Sequence, residues 1–283
     1  NWGEVFSDTV NTGIYVLSPE VLGYFNKNER FDFSKDLFPM LLNDKKPMYG
    51  FVTDGYWCDI GDLAAYRQAN FDVLDGKVNI SIPGKQVKKG IWVDEGTEID
   101  ETVIIQAPCV IGRNTRIKRH AHVDSYTIIG DSNIIEERVS LKRSIIWKNC
   151  ILDNNSQLRG SILCNKVNFK ENASAYENAV VGEDTTVRKN AMIKPNVKIW
   201  PNKMIDESVE VNSNLVWGSK YTRTIFGNRG VVGEINVDIT PEYASKLGAA
   251  YGAVFDGKAR VCVSCDRTNS ANMLKISFIS GLL

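Results

Sequence analysis

Val87-Lys88-Lys89-Gly90-Ile91-Trp92-Val93-Asp94-Glu95-Gly96-Thr97-Glu98-Ile99 opens the stretch that decides the fold. A bulky aliphatic residue stands at Val87, Val93 and Ile99 and returns every sixth position, at Ile105, Ile111, Ile117, Val123, Ile129, Ile135 and Leu141. The phase then slips through Trp147, Leu152 and Leu158, in steps of 6, 5, 6 and 5 up to Leu163. It resumes as Phe169, Ala175, Val181, Val187, Ile193, Ile199, Ile205 and Val211. Four places after most of these stands a small or β-branched residue, such as Thr97, Val103, Cys109, Thr115 and Ala121. A six-residue period fits neither a helix, at about 3.6, nor an isolated strand, at about 2, but fits a repeat in which each hexad makes one flat side of a coil. The bulky residue is expected to fill the core and the small one to turn the corner. The uneven steps predict shortened or distorted corners, or a bend.

This pattern resembles the hexapeptide-repeat proteins. The resemblance implies a left-handed parallel β-helix with three hexads to the coil. Val87 to Val211 would then make about seven coils, stacked to roughly 33 Å at the usual inter-strand spacing.

On either side the pattern changes, and the expected organisation is 1–80, 81–220 and 221–283. The first segment reads as mixed α and β. Gly13-Ile14-Tyr15-Val16-Leu17 predicts a buried strand, and Ser18-Pro19-Glu20 a helix start. Phe51-Val52-Thr53 and Tyr56-Trp57-Cys58 flank Asp54-Gly55, a dipeptide suited to a hairpin turn. Asp62 can cap a helix with Leu63, Tyr66, Ala69 and Val73 on its apolar face, ending at Asp75-Gly76. In the last segment, Gly227, Gly230 and Gly233 precede a strand expected over 235–239 and a helix capped by Thr240-Pro241-Glu242. A strand over 259–265 and a helix near 270–283 complete a strand–helix–strand–helix order, the start of a parallel α/β domain.

Composition narrows the function classes. Lys+Arg and Asp+Glu both number 34, so there is no large positive field to hold a phosphate backbone, and nucleic acid is excluded as the expected partner. No run of about 18 apolar residues occurs and the start carries no leader pattern, so no membrane partner and a cytoplasmic location are expected. The six cysteines are scattered and expected to be reduced, Cys262 and Cys265 included, since residues three apart on a strand face opposite ways. Position 1 is not Met and the chain stops inside an amphipathic pattern, so both ends look cut.

Two motifs in the first segment carry chemistry. Asn11-Thr12-Gly13-Ile14-Tyr15, together with Gly55-Tyr56-Trp57-Cys58-Asp59-Ile60-Gly61 followed by Tyr66, Ala69 and Asn70, resembles the end of the catalytic domain of sugar-phosphate nucleotidylyltransferases. In that family a sugar 1-phosphate attacks the α-phosphorus of a metal-held nucleoside triphosphate and pyrophosphate leaves. The chemistry rests on positioning and on charge neutralisation by Mg²⁺. The resemblance makes Asp59 a Mg²⁺ ligand and places Asn11, Thr12 and Gly13 along the sugar pocket; a turn carboxylate and a strand-end cap are the plainer roles for Asp59 and Asn11. Residues 1–80 contain seven isolated glycines and none of the family's glycine-rich nucleotide loop, so no catalytic residue is assigned and these residues by themselves are expected to be inactive.

In the last segment, Phe226-Gly227-Asn228-Arg229-Gly230-Val231-Val232-Gly233 and the run from Val261 to Leu274 resemble the first domain of the phosphoglucomutases and phosphomannomutases. Val232 and Arg229 stand where that family has an arginine and an aspartate, and its phosphoserine has no counterpart up to residue 283. The order of the three segments resembles mannose-1-phosphate guanylyltransferases fused to a phosphomannomutase-like domain. It implies GTP and mannose 1-phosphate as substrates, GDP-mannose as product, and a homo-oligomer formed through the β-helix. Three other readings share part of the chain: a glucose-1-phosphate adenylyltransferase-like enzyme, a regulatory translation-factor-type subunit and a hexapeptide acyltransferase. His120 and His122 are expected on a solvated face with no acidic partner, and Trp92, Trp147, Trp200 and Trp217 on the outer wall or between subunits.

Overall fold

A computed structural model describes residues 9–218, 220, 221, 226, 230–255 and 259–283. The chain divides into two compact units, 1–69 and 70–283.

The hexads form a parallel β-helix of about seven turns, with strands of two or three residues stacked into three faces. Face one runs from Lys85–Lys88 to Lys198–Ile199, face two from Glu98–Ile99 to Lys220–Tyr221, and face three from Ile104–Ile105 to Glu210–Val211. Register on face one pairs Ile91 with Cys109 and Cys109 with Thr127, eighteen residues per coil. The inward column is the expected aliphatic one: Ile111, Val123, Ile135, Leu141, Leu158, Phe169 and Ile193 are all buried in one continuous core. No two-residue strand is stable alone; each coil lends its neighbours both backbone hydrogen bonds and an apolar surface, as in other stacked-repeat architectures.

At its start the coil differs from the six-residue reading. Val87 belongs to Lys85–Lys88, which pairs antiparallel with Ile91–Val93, and its side chain is exposed. The core therefore begins at Ile91, after the left-handed turn at Gly90 (φ 76°).

The phase slip is also resolved. Ile146, not Trp147, is the inward residue: Ile146 is 1% exposed and Trp147 38%. The inward steps from Leu141 are thus 5, 6, 6 and 5, through Ile146, Leu152 and Leu158 to Leu163. Both five-residue steps fall at one corner of consecutive coils, at Arg143 (φ 50°) and Gly160 (φ 60°), which stack through Gly160 N–H donating to Lys142 O at 2.8 Å. Registers through this region accordingly shift by seventeen, as in Ile128–Ile145 and Ser140–Gln157. Shortening adjacent coils at the same place keeps them in step, so the stacking continues.

The corners are made by a signal the aliphatic period does not carry. The small residues, such as Ala173 and Ala191, pack inside the corner with no exposure. The turn itself is made by the residue before each: Asn149, Asn155, Asn172, Asn178, Asn190 and Asn196 all have φ between 55 and 65°. Asparagine is the non-glycine residue that best tolerates the left-handed region. These side chains also ladder between coils, Asn172 Nδ2 donating to Asn190 Oδ1 at 3.0 Å and Asn178 Nδ2 to Asn196 Oδ1 at 2.9 Å.

One of the polar inward corners carries an amide. Asn133 is fully buried; its Nδ2 donates to Gly130 O (2.9 Å) and Trp147 O (2.7 Å), and its Oδ1 accepts from Cys150 N–H (2.7 Å). Every group of that amide capable of strong hydrogen bonding inside the helix is thereby used, which removes the penalty of burying it.

Outside the β-helix the local readings hold for helices and fail for strands. A short 3-10 helix at Pro19–Tyr24 follows Ser18, whose side chain makes no cap bond, and α1 spans Phe38–Asn43. Helix α2, Leu63–Leu74, is capped by Asp62 Oδ1 accepting from Ala65 N–H at 2.7 Å and stops before Gly76 (φ 74°). Its buried residues are Phe71, Asp72 and Leu74, whereas Leu63 is exposed and Tyr66, Ala69 and Val73 are half-buried. Phe71 packs on Tyr126 of the β-helix (ring centroids 5.1 Å apart) with the Arg143 guanidinium 5.9 Å from both rings, and Tyr126 OH donates to Asp75 Oδ1 at 2.7 Å. That docking, rather than the anticipated stripe, sets which side of the end of α2 is covered.

In 13–17 and 51–58 no strand forms, and Ile14, Val16 and Phe51 are exposed. A strand needs a neighbouring strand to take up its backbone N–H and C=O groups, and among the described residues neither stretch joins a sheet. Residues 234–239 make a tight turn, with the N–H groups of Val237, Asp238 and Ile239 converging on Glu234 O, instead of the expected strand; 259–265 joins no sheet among the described residues. Helices α3 (Pro241–Gly252, capped by Thr240) and α4 (Asn269–Leu282, capped by Thr268) form as read. They touch through glycine: a methyl group on Gly248 would run into Phe278 O, and one on Gly281 into Ser245 O. Gly227, Asn228 and Arg229 lie outside the described residues.

Candidate functional site

The candidate residues of the first unit lie on two loops. Asn11 closes a small turn: its Oδ1 accepts from Gly13 N–H at 2.9 Å and from Tyr15 OH at 3.1 Å. The turn requires Gly13 in the left-handed region (φ 74°), and it is held by the Tyr15 ring against Phe33 and Phe38 (centroids 6.0 and 5.1 Å apart). Asn11 and Gly13 are exposed and Thr12 is half-buried, so the loop offers a hydroxyl and an amide edge to solvent.

Asp59 lies on the exposed stretch between the Thr53–Gly55 turn, where Thr53 Oγ1 accepts from Gly55 N–H at 3.3 Å, and the start of α2. Its side chain is exposed, whereas the neighbouring Asp62 is occupied as the α2 cap. Among the described residues no hydrogen bond or ion pair joins Asp59 to Asn11, Thr12 or Gly13, and no group of three or more His, Cys, Asp or Glu side chains could hold a metal by itself. An accessible carboxylate is nevertheless a donor that suits Mg²⁺, which is commonly held by one or two carboxylates plus the oxygens of a bound phosphate.

The β-helix histidines are arranged differently from expectation in one respect. Both face outward, but His122 has an acidic neighbour: its Nε2 lies 3.5 Å from Asp124 Oδ1 and 3.5 Å from Gln106 Nε2. The two-residue spacing that puts His122 and Asp124 on one outer face is visible in the sequence as strand alternation. His120 occupies a corner at φ 58° and is exposed. The four tryptophans all point outward, with Trp217 the most exposed at 80%.

All six cysteines are free. Burial pushes the thiols of Cys109 and Cys150 up to about 12, and both are inside the core. At pH 8 a thiol reagent should therefore modify the exposed Cys262 and Cys265, while Cys109 and Cys150 react only after denaturation. Peptide mapping after labelling checks this. Since these folded values exceed the ordinary 9.0, their contribution to stability is intact below pH 9 and is lost as the pH climbs towards 12.

The fold and these loops define a β-helix with helical segments before and after it in the chain. Comparison with known proteins bears this out segment by segment. Residues 3–76 match the nucleotidyl transferase family, 88–193 the LbH domain of EIF2B subunit epsilon, and 223–283 the α/β/α domain I of phosphoglucomutase/phosphomannomutase. A UTP–glucose-1-phosphate uridylyltransferase of Synechocystis is 33% identical over 147 residues, covering 51% of this chain and 38% of that protein. A glucose-1-phosphate adenylyltransferase of Clostridium botulinum is 29% identical over 142 residues, covering 44% and 37%. The chain is related to the sugar-1-phosphate nucleotidyltransferases, and it spans about two fifths of the length of these curated relatives. Among solved structures it is similar to a putative acetyltransferase of Bacillus cereus (17% identity, 44% of this chain and 76% of that one, TM-score 0.34). It is also similar to a UDP-N-acetylglucosamine O-acyltransferase of Moraxella catarrhalis (18% identity, 44% and 60%, TM-score 0.27). No described helix is long and apolar enough to cross a membrane.

Proposed function

We propose that this chain is part of an enzyme that joins a sugar 1-phosphate to the α-phosphate of a nucleoside triphosphate and releases pyrophosphate, with mannose 1-phosphate and GTP as the pair. The observation that carries this reading is the succession, in one chain, of a nucleotidyl transferase segment, a hexapeptide β-helix and a mutase-type segment. A mutase that moves phosphate from the 6- to the 1-position of a hexose makes the substrate that the transferase consumes, so the two chemistries gain from being joined. The turn at Asn11, Thr12 and Gly13 lines the sugar, and Asp59 holds Mg²⁺. Mg²⁺ held there would supply positive charge to offset that of the triphosphate. Asp59 supplies one anionic oxygen, Asn11 presets the loop, and Thr12 offers a hydroxyl to the sugar. The β-helix serves as the surface on which identical chains assemble, in the cytoplasm.

Pyrophosphate release tests the reading. Residues 1–283 by themselves should show no turnover above background, because the seven glycines of residues 1–80 are isolated in sequence. With the nucleotide loop supplied by the whole protein, kcat/KM should be highest for mannose 1-phosphate with GTP. A higher value for glucose 1-phosphate with UTP or ATP would overturn the mannose and GTP assignment and leave the transferase reading standing.

A further inference from the structure

The turn at Asn11 could present either end of its side-chain amide outward, and the backbone decides which. The N–H of Gly13 can only donate, and it reaches the inner atom of that amide at 2.9 Å. An NH2 group there would set donor against donor, so the inner atom is Oδ1 and the NH2 group is the free end. A single bond to a loop is a weak hold on an exposed side chain. The second hold is Tyr15, whose hydroxyl donates to the same Oδ1 at 3.1 Å. Both lone pairs of the oxygen are then occupied, and among the described residues the two N–H groups of Nδ2 have no partner.

Tyr15 can hold the amide because its ring is itself held. The ring meets Phe38 edge-on at 5.1 Å between centroids and lies 6.0 Å from Phe33, which is in turn 5.9 Å from Phe25. Leu37, between Phe33 and Phe38 in the chain, is fully buried. Asp32 fixes the same stretch by accepting from the N–H groups of Ser34 and Lys35 at 2.8 and 2.9 Å. A phenylalanine at position 15 would keep every one of these ring contacts. The hydroxyl therefore serves Asn11, its one hydrogen-bond partner among the described residues.

We propose that Tyr15 is a positioning residue: through its hydroxyl it locks the Asn11 amide with the NH2 group outward, so that the loop meets the sugar 1-phosphate with hydrogen-bond donors already in place. The proposal rests on the reading of residues 11–13 as the sugar loop. A side chain fixed before the ligand arrives is spared the cost of being ordered by it, so the hydroxyl acts on affinity and not on the chemical step. The test compares the wild-type whole protein with Tyr15→Phe, Asn11→Ala and the double variant. Melting temperature, pyrophosphate release and calorimetric binding are read with mannose 1-phosphate and with glucose 1-phosphate. Tyr15→Phe should melt as the wild type does, and both its KM and its Kd for the sugar 1-phosphate should rise roughly 3- to 10-fold, the worth of one hydrogen bond. Its kcat and its KM for the nucleoside triphosphate should stay unchanged. In the Asn11→Ala background the same substitution should weaken binding no further, because it acts only through the amide. A Tyr15→Phe variant that binds the sugar 1-phosphate as the wild type does overturns the positioning role and leaves the transferase reading standing. An equal loss with and without the Asn11 amide overturns it too, since Tyr15 would then act on the ligand directly. A wild type that neither turns over nor binds either sugar 1-phosphate removes the sugar loop itself, and the proposal with it. Where turnover is absent but binding is seen, the transferase reading falls and calorimetry still decides the role of Tyr15.

Discussion

Asp59→Asn in the catalytically complete protein should lower turnover by on the order of 100-fold or more while leaving the melting temperature almost unchanged. The substitution keeps the size of the side chain but removes the anionic charge that makes it a donor for a hard cation. Asp59 is exposed, and its carboxylate caps no helix and closes no ion pair among the described residues, so the fold has little to lose. Excess Mg²⁺ should restore part of the activity, since a weakened site fills at higher metal concentration. A purely structural Asp59 gives the opposite pair of results: a lower melting temperature and unaltered turnover of the folded fraction. Measuring both on one preparation separates the two roles.

Ile146→Asp should abolish cooperative folding of the central coils, whereas Trp147→Asp should cost about 1 kcal/mol or less. The two residues are adjacent in sequence, but Ile146 is 1% exposed, between Leu141 and Leu152 in the inward column, and Trp147 is 38% exposed. A carboxylate at 146 would be buried among aliphatic groups without a partner, at a cost of several kcal/mol. Since each coil is held only by its neighbours, the damage spreads along the stack rather than being absorbed by a larger core. Urea denaturation followed by circular dichroism reads both variants. Equal destabilisation would mean that the five-residue corner lies after, not before, residue 146.

The contrast between these neighbours shows where the sequence stops being sufficient. Strict six-residue recurrence from Val93 to Leu141 and from Leu163 to Val211 determines the β-helix, because each hexad occupies an equivalent place and only one position in six points to the axis. Helix caps at Asp62 and Thr240 were equally legible, since a cap is a bond between residues three apart that needs nothing distant. Asn11 and Asp59 could be singled out by motif, and the loops that carry them are local structures as well. Where two aliphatic or aromatic residues stand side by side, as at Ile146 and Trp147, local pattern offers two phases, and only the hydrogen-bonding register with the coils above and below selects one.

The same physical reason accounts for the other differences. Strands expected at 13–17, 51–58 and 259–265 depended on partners that no stretch of their own sequence supplies, and none pairs among the described residues. The buried side of α2 was decided by where its end meets Tyr126 and Arg143, fifty and more residues away. His122 beside Asp124, and Lys142 over Arg159, are likewise products of stacking. The sequence by itself determined the repeat, its core and the helix ends, all of which follow from short-range periodicity and capping. The tertiary structure alone decided register, corner length and which outward side chains meet, because those depend on hydrogen bonds between residues seventeen or eighteen positions apart.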